Sequence, residues 1–196
     1  MISSRDEFAQ AATLTLCGLL LISLSAFAAD DMLLDEARKV AGAVPPRLLT
    51  VLNEEITRNG PASAITVCNE KAPQMARAAS EQTGWAIRRV SLRNRNTKAV
   101  PDAWERAALE EFDRRVAAGD NPAALEKSGM MEEGNRKEFR YMKALPVQQV
   151  CLACHGMADK VLPEVAERLR SLYPEDKAVG YAIGQIRGAI TIRKSL

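Results

Sequence analysis

The 196-residue sequence predicts an α+β fold built on an antiparallel sheet. Helical periodicity fills the first half of the chain, whereas most stretches with strand character come later. No repeating strand–helix–strand unit is visible, which argues against a parallel sheet. The clearest local signals are a capping box at Asp102 and Glu105 and the alternation of apolar and polar residues from Gly188 to Arg193.

Three helical stretches are predicted before the first strand. The first extends from Met32 to about Ala43, and Pro45-Pro46 is expected to interrupt or kink it. The second extends from Arg47 to Thr57, and the third from Pro61 to about Ser80. The third carries a stripe at steps of three and four residues, which predicts an inward face. That stripe consists of Ile65, Cys68, Ala72, Met75 and Ala79.

The rest of the chain alternates strands, loops and two more helices. The strands are expected at Trp85–Leu92, around Phe139–Met142 and at Gly188–Arg193. A polar loop covers Arg93–Val100 and a turn covers Ala118–Pro122. One helix should follow Asp102 through Val116, and another should span Leu162 to Leu172.

Composition narrows the possible functions. The formal net charge is +2, with 27 Lys and Arg residues scattered among 25 Asp and Glu residues. Nucleic-acid binding needs basic residues clustered on one face, so this class is not expected.

The first 28 residues are typical of an export signal. An apolar run from Ala11 to Leu24 is too short for a typical membrane span but suits a signal-peptide core. Ala26-Phe27-Ala28 supplies small residues for cleavage after Ala28. We therefore expect a signal peptide at 1–28, a single domain at 29–196, and a periplasmic or otherwise exported protein. The alternative is a retained membrane anchor, and only then would membrane contact follow.

The motif Cys151-Leu-Ala-Cys154-His155 carries the strongest chemical signal. Two thiols three positions apart can each add to a vinyl group of haem, and the following histidine can ligate the iron. The motif predicts one covalently attached c-type haem.

Two other kinds of site use a similar cysteine spacing. A thioredoxin-like pair should open a helix in a βαβ context, and no such context is found. A zinc site needs further Cys or His ligands. Beyond this motif, the chain after Ala28 has only Cys68 and no second histidine, so zinc is disfavoured.

The second axial ligand of the iron stays open from the residues alone. With a single histidine, bis-histidine ligation within one chain is excluded. Met, Cys, Lys, Tyr, water or an open position remain, with Met75, Met130, Met131 and Met142 as the methionine candidates. Cys68 is either a buried structural cysteine or a ligand. As an odd thiol in an oxidising compartment, Cys68 would be protected by iron coordination.

Beyond single motifs, five segments resemble a known family in their order along the chain. They are AITVCNEKAP (64–73), SLRN (91–94), PDAWE (101–105), CLACHG (151–156) and GYAIGQIRGAI (180–190). Together they are similar to the Tll-type c-type haem family, first catalogued as a domain of unknown function. The resemblance implies a PAS-like antiparallel sheet with flanking helices around one haem. It also implies cysteine as the second axial ligand, which maps to Cys68. Arg95 departs from the family pattern, where proline commonly follows the Arg-Asn pair.

Arginines are the natural partners for the haem propionates, because guanidinium matches carboxylate geometry. The candidates are Arg93, Arg140 and Arg187, each of which could equally be a solvated surface residue.

The sequence favours a mono-haem cytochrome in low-potential electron transfer or redox sensing, with His155 and Cys68 as axial ligands. The alternative is a haem-based gas-sensing module, which would need a separate signalling partner because no output domain is visible. A haem peroxidase is the least favoured function, since the only histidine is already assigned. The protein is therefore not expected to be an enzyme, and its redox or signalling partner protein is unknown.

Overall fold

The computed structural model describes residues 6–196, and the side chains of residues 30–196 except residue 133. The chain divides into two compact units, Met1–Glu36 and Ala37–Leu196. Of the predicted leader, residues 1–5 lie outside the described residues, and from Asp6 onward only the helical backbone is described. Within the described part of the chain, no helix combines the length and apolar character required to cross a membrane.

The first helix, α1, spans Asp6–Asn59 and contains Pro45 and Pro46. The predicted interruption at these prolines is therefore wrong. Two prolines remove two backbone hydrogen bonds, which costs stability, but tertiary packing can offset that cost. Ala37, Ala41 and Val44 recur at helical spacing and are all buried, so their contacts hold this part of the helix together.

The predicted third helix is divided by a π-helical turn. Residues Val67–Lys71 form that turn, and helix α2 follows at Ala72–Thr83. The amide of Ala72 bonds to the carbonyl of Val67, five residues earlier. Pro73 lacks an amide hydrogen and cannot continue the α-helical ladder, which explains the widened turn. Cys68 lies in this turn.

The four strands form one antiparallel sheet in the order β1-β4-β3-β2. Three of them confirm predicted strands: β1 (Ala86–Val90), β3 (Arg136–Pro146) and β4 (Ile186–Ser195). The fourth, β2 (Glu126–Glu133), was not predicted. Its sequence has no β-branched residue, and its position at the edge of the sheet requires only one neighbour.

Helix α3 (Ala103–Ala117) covers one face of the sheet, and we call this the α3 face. The helix begins with the predicted capping box, in which Asp102 and Glu105 exchange backbone and side-chain hydrogen bonds. Its apolar residues and those of the strands form the largest buried cluster described here. The cluster comprises Val90, Ala108, Leu109, Phe112, Leu125, Met142, Ala144, Ile186 and Ala189.

The opposite face of the sheet carries Arg89, Ile190 and Ile192, and we call this the second face. Arg89 pairs with Ile190, which pairs in turn with Lys143 of β3. Because side chains alternate between faces, Arg88 and Val90 point to the α3 face whereas Arg89 points to the second face.

A β-bulge interrupts the pairing of β3 with β4. Leu145 pairs with Gly188, and the next residue of β3, Pro146, pairs with Ile186, so Arg187 is left over. Such a bulge re-aims one side chain. Gly188 has φ +155°, and a Cβ there would lie 2.3 Å from the carbonyl oxygen of Val90, so the bulge requires glycine.

Helices α4 (Leu152–His155) and α5 (Pro163–Leu172) complete the chain between β3 and β4. Helix α5 confirms the predicted helix at Leu162–Leu172. The α+β class with an antiparallel sheet and flanking helices is confirmed.

Candidate functional site

The cysteine–histidine motif lies on one short helical turn. A 3-10 turn ends at Cys151, and α4 ends at His155. The amide of Gly156 closes this turn on the carbonyl of Leu152 at 3.0 Å. A Cβ at Gly156 would lie 2.6 Å from that oxygen, so the chain can leave the turn here only with glycine. Cys151 and Cys154 are free thiols and only partly buried. Burial raises the pKa of Cys154 to about 11, so it is a neutral thiol at ordinary pH.

One backbone carbonyl fixes the tautomer of His155. The Nδ1 atom lies 2.7 Å from the carbonyl oxygen of Ala178, so Nδ1 carries the proton and donates it. Nε2 therefore carries no proton and holds the lone pair of the ring. The Nε of Arg187 lies 3.4 Å from Nε2 and 3.2 Å from Nδ1, so it is not directed at that lone pair alone. Burial, with the charges of Arg187 and Arg95, holds the pKa of His155 well below its usual range. The imidazole is neutral and suited to bind a metal.

A loop before β4 supports the histidine from its own side. The amides of Gly180 and Tyr181 donate to the carbonyls of Gly156 and His155, at 2.7 and 2.9 Å. The Tyr181 ring meets the imidazole edge-on, with centroids 6.3 Å apart. The ring orientation of His155 is thus set by contacts with residues 178–181.

Cys68 reaches the same region from the π-helical turn. Ile65, one turn earlier, packs in a cluster with Val165 and Leu169 of α5, and Cys154 packs against that cluster. The hydroxyl of Tyr173 donates to Asn69 at 3.0 Å. These contacts bring the turn with Cys68 next to the cysteine–histidine motif.

Cys68 as a residue is exposed to solvent, but protein groups surround its sulfur. Burial among them raises its pKa, and the positive charges of Arg89, Arg95 and Arg187 partly oppose that effect. The same three arginines also lower the pKa of His155. Cys68 and His155 therefore lie near the same three arginines, and we call the region around them the crevice. The stripe that includes Cys68 is half-exposed, so the prediction of a plainly buried helix face is wrong.

The four methionine candidates for the second iron ligand lie in different parts of the fold. Met142 is fully buried in the α3-face cluster, away from the crevice. Met130 and Met131 lie on β2 at the far edge of the sheet from β1. Met75 is half-buried on α2, the helix that directly follows the turn with Cys68. Only Met75 is left as a methionine alternative to Cys68.

The crevice contains more positive than negative charge. Arg95 pairs with Asp176, with Nε and Oδ2 2.9 Å apart. Arg187 donates to the Ser91 hydroxyl at 2.9 Å and to the Arg93 carbonyl at 3.3 Å, but it pairs with no described carboxylate. Within the described chain, Arg89 has neither a hydrogen-bond partner nor an ion-pair partner. Burial lowers the pKa of both Arg89 and Arg187. This surplus is suited to an anionic ligand.

The three arginines predicted as propionate partners lie in different parts of the structure. Arg187 lies at the crevice, and Arg93 lies beside it, over the Tyr181 ring at 4.2 Å. Arg140 lies on the α3 face, where Asp102 accepts from it at 2.6 Å and the carboxylate of Glu105 forms an ion pair with it at 3.2 Å. A propionate role for Arg140 is therefore incompatible with its position.

Sequence reasoning missed Arg89, Arg95 and Asp176. Arg89 had a usable signal, because alternation along the predicted strand places it on the same face as Ile87. A charged residue on a buried face commonly marks a partner or ligand. Arg95 had no such signal, since its three partners lie far away in sequence.

Residues 10–195 match the Tll0287-like family. The chain belongs to this family. A solved structure agrees: the crystal structure of the cyanobacterial heme-protein Tll0287 has a TM-score of 0.52 and 28% sequence identity to this chain. The similarity covers 64% of this chain and 70% of that chain. No curated protein gives a significant match.

Proposed function

We propose that this member of the Tll0287-like family is an exported mono-haem c-type cytochrome that acts in low-potential electron transfer or redox sensing. The observation that carries the proposal is the crevice itself. It combines a Cys-x-x-Cys-His turn, a neutral imidazole whose Nε2 is unprotonated, and a second sulfur from a distant part of the chain.

The residues at the crevice fit a haem of the c type. Cys151 and Cys154 would hold the porphyrin, and His155 would ligate the iron through Nε2. Arg187, Arg93 and the newly recognised Arg89 would neutralise the propionates, which accounts for arginines that lack a carboxylate partner. When bound, the haem supplies a one-electron couple at the iron.

Cys68 would supply the second protein donor to the iron. Iron coordination would offset the raised pKa of its thiol, because binding favours the deprotonated sulfur. A thiolate stabilises ferric over ferrous iron, so the reduction potential should be low. A donor whose protonation changes with the iron's charge is better suited to redox sensing than to simple electron transfer.

Export is part of the proposal. Haem attachment outside the cytoplasm requires a leader such as residues 1–28, with cleavage near Ala28. The redox or signalling partner is a separate protein. N-terminal sequencing of the mature protein tests this directly, and a start before Ala26 would indicate a retained anchor.

Covalent attachment is the first test of the proposed function. The mature protein should keep its haem through denaturing electrophoresis and show the mass of one haem. Cys151→Ala combined with Cys154→Ala should abolish both signals, because each thioether bond needs one of these two sulfurs. Release of the haem from the wild-type protein by acid–acetone extraction would contradict the proposal.

The second test concerns Cys68. Cys68→Ser should change the ferric spectrum from low-spin to high-spin and raise the reduction potential, because the thiolate is lost. Met75→Leu is the matched control and should leave both unchanged. An unchanged Cys68→Ser spectrum would remove Cys68 from the iron. Binding of carbon monoxide by the ferrous wild-type protein would support sensing by a labile ligand, and failure to bind it would favour electron transfer.

A further inference from the structure

The Arg95–Asp176 pair lies immediately behind the cysteine–histidine turn. Both side chains are buried, with relative exposures of 8% and 12%. Arg95 donates through Nη2 to the carbonyl of Cys154 at 2.6 Å and to the carbonyl of Ala178 at 3.3 Å. Its Nε donates to Asp176 at 2.9 Å. One guanidinium thus joins the turn before His155 to the loop that holds His155 in place.

Asp176 also holds this loop in place, through the carboxylate oxygen that does not contact Arg95. Its Oδ1 accepts from the amide of Ala178 at 2.8 Å. The neighbouring amide of Lys177 donates to the carbonyl of Asn94 at 3.2 Å, next to Arg95. The residue whose carbonyl accepts from His155 is therefore held at its amide by Asp176 and at its carbonyl by Arg95.

The carbonyl of Ala178 receives two donors, His155 Nδ1 at 2.7 Å and Arg95 Nη2 at 3.3 Å. A charged donor on this oxygen weakens its pull on the Nδ1 proton, which makes the imidazole a poorer electron donor through Nε2. The pair also places a buried positive and a buried negative charge close to the turn, where little water screens them.

We propose that Arg95 and Asp176 are positioning residues that set the reduction potential of the iron held by His155, acting through the Ala178 carbonyl and through their opposed charges. This inference rests on the proposed function, because it requires an iron at Nε2.

The two partners should act with opposite signs. Arg95→Gln removes a positive charge, leaves Asp176 unpaired and frees the Ala178 carbonyl, and all three changes favour ferric iron. Asp176→Asn removes the negative charge and leaves Arg95, which favours ferrous iron. The asparagine can still accept from the Ala178 amide, so the loop keeps its anchor. Arg95→Lys keeps the charge and should stay close to the wild-type value.

The experiment is a potentiometric titration of the holoprotein, with electron paramagnetic resonance of the ferric form to check that the axial ligands are unchanged. At the wild-type midpoint, Arg95→Gln should raise the ferric-to-ferrous ratio about tenfold, a fall of about 59 mV for one electron. Asp176→Asn should shift the ratio by a similar factor in the opposite direction. The double variant should lie between the two. Arg115→Gln, in the exposed Arg115–Asp120 pair, is the control and should change nothing.

Shifts of the same sign for Arg95→Gln and Asp176→Asn, or shifts of less than twofold for both, would overturn the inference. If Arg95→Gln fails to incorporate haem, the contrast of Arg95→Lys with Asp176→Asn carries the same test. Absence of covalent haem from the wild-type protein would instead overturn the proposed function. Unchanged potentials in variants that retain covalent haem would overturn only this inference.

Discussion

Adjacent arginines on β1 enter two very different environments. Arg88 points to the α3 face and forms a close ion pair with Glu105, whose side chain is fully buried. Arg89 points to the second face and finds no described carboxylate. On the α3 face, Arg140 and Arg193 also pair with Glu105, and both with Asp102. In that network every arginine has a carboxylate partner within the protein.

The crevice on the other side is incomplete by comparison. Of its three arginines, only Arg95 has a carboxylate, Asp176. Buried charges are costly unless they are paired, so unpaired ones persist where a ligand completes them. The contrast teaches that the number of arginines does not distinguish a structural network from a binding site. What distinguishes them is whether carboxylates within the protein match the positive charges.

The largest expected effect comes from breaking the arginine network on the α3 face. Glu105→Gln should lower the free energy of unfolding by about 3–5 kcal/mol, because the fully buried carboxylate that three arginines share is lost. Thr191 and Arg193 also lose a strong acceptor, each now 3.0 Å from Glu105 Oε1. Urea unfolding measures the change. Glu111→Gln, which breaks the half-exposed pair with Lys127, is the control and should cost about 0–1 kcal/mol. An equal cost for both variants would contradict the contrast.

The second-largest effect should come from acid, which weakens the same network of carboxylates and arginines. Burial alone would raise the pKa of Asp102 and Glu105, but hydrogen bonds and arginines outweigh it and hold both pKa values below normal. The folded protein then binds fewer protons than the unfolded chain. Stability is therefore full above the ordinary glutamate value of 4.5 and is lost as the pH falls below it.

Urea unfolding at successive pH values measures that loss. Each such group contributes up to about 1.4 kcal/mol per pH unit. Glu105→Gln should make the decline shallower, since one of the two groups no longer titrates. An identical decline in the variant and the wild-type protein would rule out Glu105 as a source of the acid sensitivity.

The smallest effect should come from Arg89. In haem-free protein, Arg89→Gln should not lower the free energy of unfolding, because no described bond is lost and a charge without a carboxylate partner is removed. The adjacent Arg88→Gln should cost about 1–3 kcal/mol, because it removes a charged hydrogen bond to Glu105. Urea unfolding of the two variants gives the comparison. Similar costs at both positions would mean that Arg89 has a structural role.

Local signals account for what the sequence predicted well. The capping box at Asp102 involves residues three positions apart, and the alternation in β4 involves neighbours, so both can be identified without the fold. The failures are tertiary. Packing of Ala37 and Ala41 outweighs the two prolines of α1, and β2 depends on pairing with β3 rather than on its own residues.

The site follows the same division. Cys151, Cys154 and His155 lie within five residues and could be recognised by spacing. The resemblance, rather than periodicity, pointed to Cys68. Arg95 appeared as an irregularity in a loop, and only the fold brings it to the carbonyls of Cys154 and Ala178.

The bulge at Arg187 has a consequence for how this segment can change over evolution. Ile186 and Ala189 are an odd number of residues apart, so simple alternation would place their side chains on opposite faces of the sheet. Both nevertheless belong to the α3-face cluster, because Arg187 between them has no partner in the ladder. A substitution at Arg187 leaves that count intact. A deletion or insertion would transfer Ile186, the one residue of β4 before the bulge, to the wrong side. The spacing from Ile186 to Gly188 is therefore constrained in length more strictly than in composition, and related chains should vary there by exchange of residues rather than by gaps.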